Sequence, residues 1–351
     1  MALSPFLRID GSFGEGGGGL VRTALTVSAM IQQPVEIINV RAGTRFPGLD
    51  VEDVVLLRAL AKVTGTETSA CNVGDHSITF HPNHRAKGLS GKVGGERNVH
   101  GRTANGPITL TALIPALARS GMYSSLLVEG ETFGTNALGF DAFAEGTLGV
   151  LREMGIYAFP EHQQVGFGRD SAGEIAIDIE PSVVNGLDWP DRGKLIAVRG
   201  RVSTARVPES IAARALSHLE KLAKAANVPV EAEAVELEGA ASGVHVTLWA
   251  VYERGLATGT SMGVKGLRVE ALVQDAFDQL AEWMTSNATL DAYLADQILV
   301  PAAFADSGSV FRVSELTSRF MTAVWVIKQF VPARITVRGS EGGPGLVTIE
   351  R

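Results

Sequence analysis

The sequence predicts an α/β chain of the α+β kind, in which three repeated βα units form one large domain interrupted by a smaller inserted αβ domain. Three observations predict it. Three segments follow one plan: an amphipathic helix, a short break, then an alternating strand ending in a charged residue and a glycine or alanine. The first two copies lie about 90 residues apart and the third about 210 residues further on, which leaves room for an inserted element. The 40 glycines sit between periodic segments rather than in a low-complexity tract, so they mark many tight turns.

The elements follow in order. Met1 to Ile9 reads as a short strand. The first copy runs from Gly19 through Leu20, Thr23, Ala24, Val27 and Met30, breaks at Pro34, and continues as the strand Val35 to Val40 before Arg41-Ala42. The second starts at Pro107, a residue suited to the first helical position, and passes Leu110, Leu113, Ile114 and Leu117. It breaks at Gly121 and continues as Ser125 to Val128. The third runs from Leu316 through Phe320, Ala323, Val324 and Ile327, then Ala333 to Val337. Between the second and third lies the expected insertion: strand Leu195 to Val202, helix Pro208 to Ala226, strands Val230 to Glu236 and Val244 to Tyr252, and helix Leu267 to Trp283. Asn227 and Pro229 close its first helix. The expected division is residues 1–184 with 284–351 for the large domain and 185–283 for the small one.

Composition narrows the function classes. Of 351 residues, 45% are hydrophobic and 20% charged, which excludes a disordered or fibrous chain. Lys and Arg total 31 against 38 Asp and Glu, a net charge of −7, so contact with a polyanion requires a local basic patch. A single cysteine, Cys71, forbids an intrachain disulfide. The N-terminus lacks the basic start and apolar run of a signal peptide, and no apolar stretch reaches the roughly 18 residues of a membrane span. A cytoplasmic protein is expected.

The most unusual segment is Ile9-Asp10-Gly11-Ser12-Phe13-Gly14-Glu15-Gly16-Gly17-Gly18-Gly19-Leu20-Val21-Arg22-Thr23-Ala24. It joins a strand to a helix. Four consecutive glycines let backbone approach a ligand, and the helix start beyond them offers free N–H groups to an anion. A glycine run alone is equally a flexible turn, but Glu15 and Arg22 flank this one with opposite charges. The Walker pattern is missing and the dinucleotide fingerprint is weak here.

This segment resembles the opening signature of the RNA 3'-terminal phosphate cyclases, a strand followed by G-E-G-G-G and a helix containing R-T-A-L. The resemblance continues in order through Asn39-Val40-Arg41-Ala42, Pro47-Gly48-Leu49, Ile114-Pro115-Ala116-Leu117, Arg199-Gly200, Gly263-Val264-Lys265-Gly266 and Tyr293-Leu294-Ala295-Asp296-Gln297. It covers nearly the whole chain. It implies ATP and a divalent ion, Mg2+ or Mn2+, as cofactors, a covalent histidine-AMP, and an RNA 3'-phosphate end closed to a 2',3'-cyclic phosphate. On the matching positions it implies a nucleotide and phosphate site at Glu15, Gly16, Gly17, Arg22, Arg41, Arg45, Tyr293, Asp296 and Gln297, with Glu15 on the metal side. Tyr293 offers a ring for base stacking, and Asp296 and Gln297 supply polar groups for ribose or adenine.

The nucleophile departs from the pattern. Where the resemblance places the histidine, the chain reads Thr317-Ser318-Arg319-Phe320-Met321-Thr322, and no histidine follows His245. A guanidinium clamps a phosphate but does not attack one. Thr44, Val51, Glu52 and Thr111 also differ from the family's polar positions, with Arg45 as a compensating base. His100, in Asn98-Val99-His100-Gly101-Arg102 before the second unit's helix, is the candidate substitute nucleophile or base. His81 and His84 lack a third metal ligand in the sequence. Two functions stay open: a cyclase rerouted through another residue, or a non-catalytic RNA- or nucleotide-binding relative. A more distant reading is the fold shared with enolpyruvyl transferases, since Arg22, Arg41, Arg45, Arg199 and Arg319 suit any phosphate-rich ligand. The helical faces leave room for a homodimer.

Overall fold

The computed structural model describes residues 6–66, 71–263 and 266–350. The first residues of the expected N-terminal strand and the Val264-Lys265 part of the glycine motif lie outside the described residues. The first unit consists of β1 (Leu7–Asp10), α1 (Gly18–Ile31), β2 (Val35–Ile38), α2 (Val51–Thr64) and β3 (Ile78–Phe80). β1 and β2 pair in parallel, joined by the helical crossover that parallel neighbours need, and β3 closes antiparallel on β2.

The second unit repeats the order with β4 (Ser90–Gly94), α3 (Gly106–Ala118), β5 (Ser124–Gly130), a π-helical turn leading into α4 (Leu148–Glu153), β6 (Ala158–Gln164) and β7 (Gly173–Ile179). β4 and β5 are parallel, and the β6–β7 hairpin packs its β7 antiparallel to β5. The third unit begins at the two-residue β8 (Asp188–Trp189), well before the segment that the hydrophobic pattern singles out.

Between β8 and its return comes the inserted segment: β9 (Leu195–Ala205), α5 (Glu209–Ala226), β10 (Val230–Glu236), β11 (Gly243–Tyr252), β12 (Gly255–Met262) and α6 (Val269–Thr285). Its sheet has the order β10-β9-β11-β12. β12, Gly- and Thr-rich, is a strand that the pattern of apolar residues does not announce; its register on β11 is what makes it one. α7 (Ala292–Ala303), β13 (Ser309–Val313), α8 (Ser318–Phe330), β14 (Arg334–Gly339) and β15 (Gly345–Glu350) complete the third unit. β13 pairs in parallel with β8 and antiparallel with β15. By topology, therefore, α7 stands where α1 and α3 stand, while α8 stands where α2 and α4 stand. The expected helix and strand of the third copy are present as α8 and β14, but β14 pairs antiparallel with β15, whereas β2 and β5, which follow α1 and α3, pair in parallel. An amphipathic helix followed by a strand reads the same in sequence in both cases, and only the strand partner separates them.

Two cores follow. Ile9, Leu20, Phe80, Phe133, Phe311 and Phe320 belong to the core of the repeated units. Val198, Leu219, Leu248, Leu272 and Trp283 belong to that of the inserted sheet and its two helices. Buried acids join them. Asp141 accepts hydrogen bonds from Ser203 Oγ at 2.7 Å and Arg201 Nη1 at 3.1 Å. Asp291 caps α7 through the Tyr293 and Leu294 N–H groups and also accepts from Thr258 N at 2.8 Å. Burial pushes the Asp291 carboxyl up to about 6, against those hydrogen bonds. Among the described residues no helix is long and apolar enough to cross a membrane.

Candidate functional site

The site grows from the turn between β1 and α1. Gly14 and Gly16 both hold φ of +60°, a left-handed conformation that other residues enter at a cost. A Cβ on Gly14 would also collide with Thr322 Oγ1 of α8. The same hydroxyl accepts the Glu15 N–H at 2.9 Å, which pins the turn onto α8. Gly17 is the N-cap of α1 in extended backbone, and no side chain caps the helix. The first-turn N–H groups and the positive end of the helix are left for a ligand.

Three guanidinium groups gather there. Arg41, itself at φ +51°, donates from Nη1 to Gly48 O at 3.1 Å and pairs with the fully buried Asp53. Its Nη2 turns to the helix start, where a Cβ on Gly18 would lie 2.5 Å away. Arg22 Nη1 approaches the same point to 2.6 Å. Burial is the largest influence on Arg22 and pushes its pKa down; Glu52 and Asp53 oppose this, while Arg319 and Arg41 add to it. A desolvated cation beside two others is relieved by an anion between them. Arg319, the second residue of α8, brings its side chain against Gly19.

The acidic side of the site is equally defined. Arg319 Nε lies 3.6 Å from Glu15 Oε1 and 4.0 Å from Asp296 Oδ2. Thr317, the N-cap of α8, accepts Phe320 N–H at 3.0 Å and donates to Asp296 Oδ1 at 3.2 Å. Burial raises the Asp296 carboxyl to about 7; Arg319 and Thr317 pull it down, and Glu15 adds to the rise. Glu15 Oε2 and Asp53 Oδ1 are buried without a hydrogen-bond partner. An orphaned carboxylate oxygen at Glu15 suits a divalent cation. Among the described residues no three metal-ligating side chains stand together, so such an ion would draw its remaining ligands from phosphates and water, as Mg2+ commonly does.

Other expected residues lie differently. Tyr293 is 63% exposed on the first turn of α7, with its ring open to a ligand. Gln297 turns inward, its Oε1 accepting from Thr147 Oγ1. Arg45 is exposed and lies over the Phe46 ring at 5.3 Å. Arg199 pairs with Glu231 at 3.7 Å on the inserted sheet. His100 sits exposed in a turn whose backbone N–H donates to Asn98 Oδ1. His81 and His84 each take a local partner, Asn83 and the Arg85 carbonyl.

Two members of the site escape the sequence reading. Asp53 forms a capping box with Asp50 and holds Arg41; the D-x-x-D spacing ahead of an apolar run was the signal for it. Arg169, from the turn before β7, pairs with Asp50 at 3.0 Å and with Glu52 at 3.8 Å. No local signal marks it, because its partners lie more than a hundred residues away. Glu52, legible only as a departure, lies between Arg22 and Arg169 electrostatically, and burial raises its pKa against both.

The fold and this site define a class: an α/β repeat protein in which a glycine turn and a helix N-terminus meet three converging arginines. Residues 13–337 match the RNA 3'-terminal phosphate cyclase family, and the chain belongs to that family. It is 32% identical over 347 residues to the RNA 3'-terminal phosphate cyclase of Methylococcus capsulatus, covering 98% of this chain and 96% of the relative. It is 31% identical to the RNA 3'-terminal phosphate cyclase of Thermococcus onnurineus, covering 97% and 98%. The protein of that name from Methanopyrus kandleri is 31% identical, with 98% of each chain covered.

Proposed function

We propose that this protein binds ATP and RNA 3'-phosphate ends at the α1 N-terminus, and that it does so without a covalent histidine-AMP in α8. The observation that carries the reading is Arg319, which occupies the family's nucleophile position and lies between Glu15 and Asp296. A guanidinium carries no free lone pair for attack, so this one holds phosphate and orients it but forms no bond to phosphorus. Arg22 and Arg41 hold the phosphates with the first-turn N–H groups of α1. Glu15 holds a divalent ion carried in by the nucleotide, which would neutralise the triphosphate. Tyr293 stacks on the base, with Asp296 and Gln297 beside it. Residues 185–283 form the inserted domain, carried on a large domain that holds the site. The protein works in the cytoplasm, and any ATP-dependent cyclic phosphate formation runs through a residue other than one in α8, His100 being the candidate.

The test is incubation with α-labelled ATP and Mg2+ or Mn2+, with and without 3'-phosphorylated RNA, followed by a denaturing gel, alongside calorimetry of ATP and RNA binding. Binding without label on the protein is the expected result. Label that survives denaturation and vanishes in His100→Ala would replace the binding reading with a rerouted cyclase. Unchanged ATP affinity in Arg22→Ala would remove Arg22 from the site.

A further inference from the structure

An aromatic pair continues the anion cradle along α8. Phe13, in the glycine turn, stacks on Trp325 with ring centroids 3.9 Å apart and 19° between planes. Phe13 is nonetheless 43% exposed. The placement is built, since Arg319, Thr322 and Trp325 recur every third residue and form one ridge of α8. Along that ridge the turn is met three times: Arg319 at Glu15 and Gly19, Thr322 at Gly14 and the Glu15 N–H, Trp325 at Phe13. Six helical residues put Trp325 about 9 Å along the axis from Arg319. That span is of the order of one nucleotide.

Resting on the binding reading above, we infer that the Phe13–Trp325 pair is a stacking platform for a nucleobase of the single-stranded RNA whose 3'-phosphate end occupies the cradle. Tyr293 on α7 already serves the nucleotide base, so the platform on α8 serves the RNA. An aromatic face stacks on any base, so the platform recognises RNA as a single strand without selecting its sequence. The open ring of Phe13 otherwise leaves apolar area in water beside a charged site. The stack on Trp325 holds it ready, so little ordering is needed when a base arrives.

The test uses the full chain and three probes: a 3'-phosphorylated oligouridylate carrying 2-aminopurine at its 3'-terminal position, the same RNA with an abasic terminal residue, and ATP. Phe13→Ala is expected to weaken binding of the base-bearing RNA about 5- to 30-fold and to abolish the quenching of 2-aminopurine. It should leave the abasic RNA and ATP within about twofold. Phe13→Tyr should retain both binding and quenching, which also guards against a misfolded Phe13→Ala. Equal losses for the base-bearing and abasic RNAs, or no loss for either, would overturn the platform while leaving the cradle intact. A change of oligomeric state in Phe13→Ala with unaltered RNA binding would overturn it in favour of a contact between copies. Absence of RNA binding by the unmodified protein would overturn both the platform and the reading it rests on.

Discussion

Gly18→Ala isolates the space between the arginines and the helix. Gly18 is the first residue of α1, and its backbone conformation suits any residue, so alanine adds no backbone strain and gains slightly in helix propensity. The added Cβ, however, would lie 2.5 Å from Arg41 Nη2 and 2.6 Å from Arg22 Nη1, closer than any real contact. Arg41 is anchored by Asp53 and the Gly48 carbonyl, so both guanidinium tips must turn from the ligand side. A hydrogen bond to a charged group contributes about 1.5–3 kcal/mol, so misaligning one or two should cost about 2–4 kcal/mol of ATP affinity, a loss of roughly 30- to 1000-fold. Calorimetric titration with ATP, paired with urea unfolding, measures both sides. Gly43→Ala, which meets nothing within 4 Å, serves as the control. An ATP affinity within twofold of the unmodified protein would refute the placement of phosphate between Arg22, Arg41 and the helix N-terminus.

Three further outcomes are expected. Asp53→Ala strands the buried Arg41 charge and removes the α2 capping box, and should destabilise the fold by about 3–5 kcal/mol in denaturant unfolding; a loss under about 1 kcal/mol would contradict the pairing. His245 is fully buried against Phe133, and burial pushes its ring down to about 3, so it is neutral in the folded state. Its contribution is therefore whole above the ordinary value of about 6.5 and is lost as pH falls towards 3, and His245→Phe should shrink the stability difference between pH 7 and pH 4.5 by about 2–3 kcal/mol. Asp296 has the opposite sign: with its carboxyl raised to about 7, its contribution is whole below about 4 and lost as pH rises through 7. Asp296→Asn should accordingly gain on the unmodified protein between pH 5 and pH 8, and parallel unfolding curves with no such crossing trend would show that the carboxyl is ionised throughout.

How much of this was legible in the sequence varies by element. α1 and α3 lie within a residue or two of their expected limits, because Pro34 and Pro107 bracket them. α5 likewise begins after Pro208 and ends at Asn227 in the left-handed conformation. α2 is apolar on nearly every side, with Val51, Val54, Val55, Leu56 and Leu57 all buried, so it carries no helical stripe for a periodic reading to find. The short β8 has no pattern at all, and two residues suffice to start the third unit only because β13 pairs with them.

The site divides along the same line. Glycines 14 and 16–19, Glu15 and Arg22 are contiguous in the chain, and their chemistry, a turn against a helix start, is local enough to be read from residue order alone. That no histidine follows His245 is also a sequence fact, since a missing imidazole needs no coordinates. What the tertiary structure decided is the company these residues keep. Arg41 reaches Gly18 because Asp53 holds it, Arg169 joins from the far end of the second unit, and Arg319 pairs with both Glu15 and Asp296. Burial then sets their charges against one another. Desolvation and Coulomb energy depend on distance through space, and the order of residues along the chain carries that distance only for near neighbours.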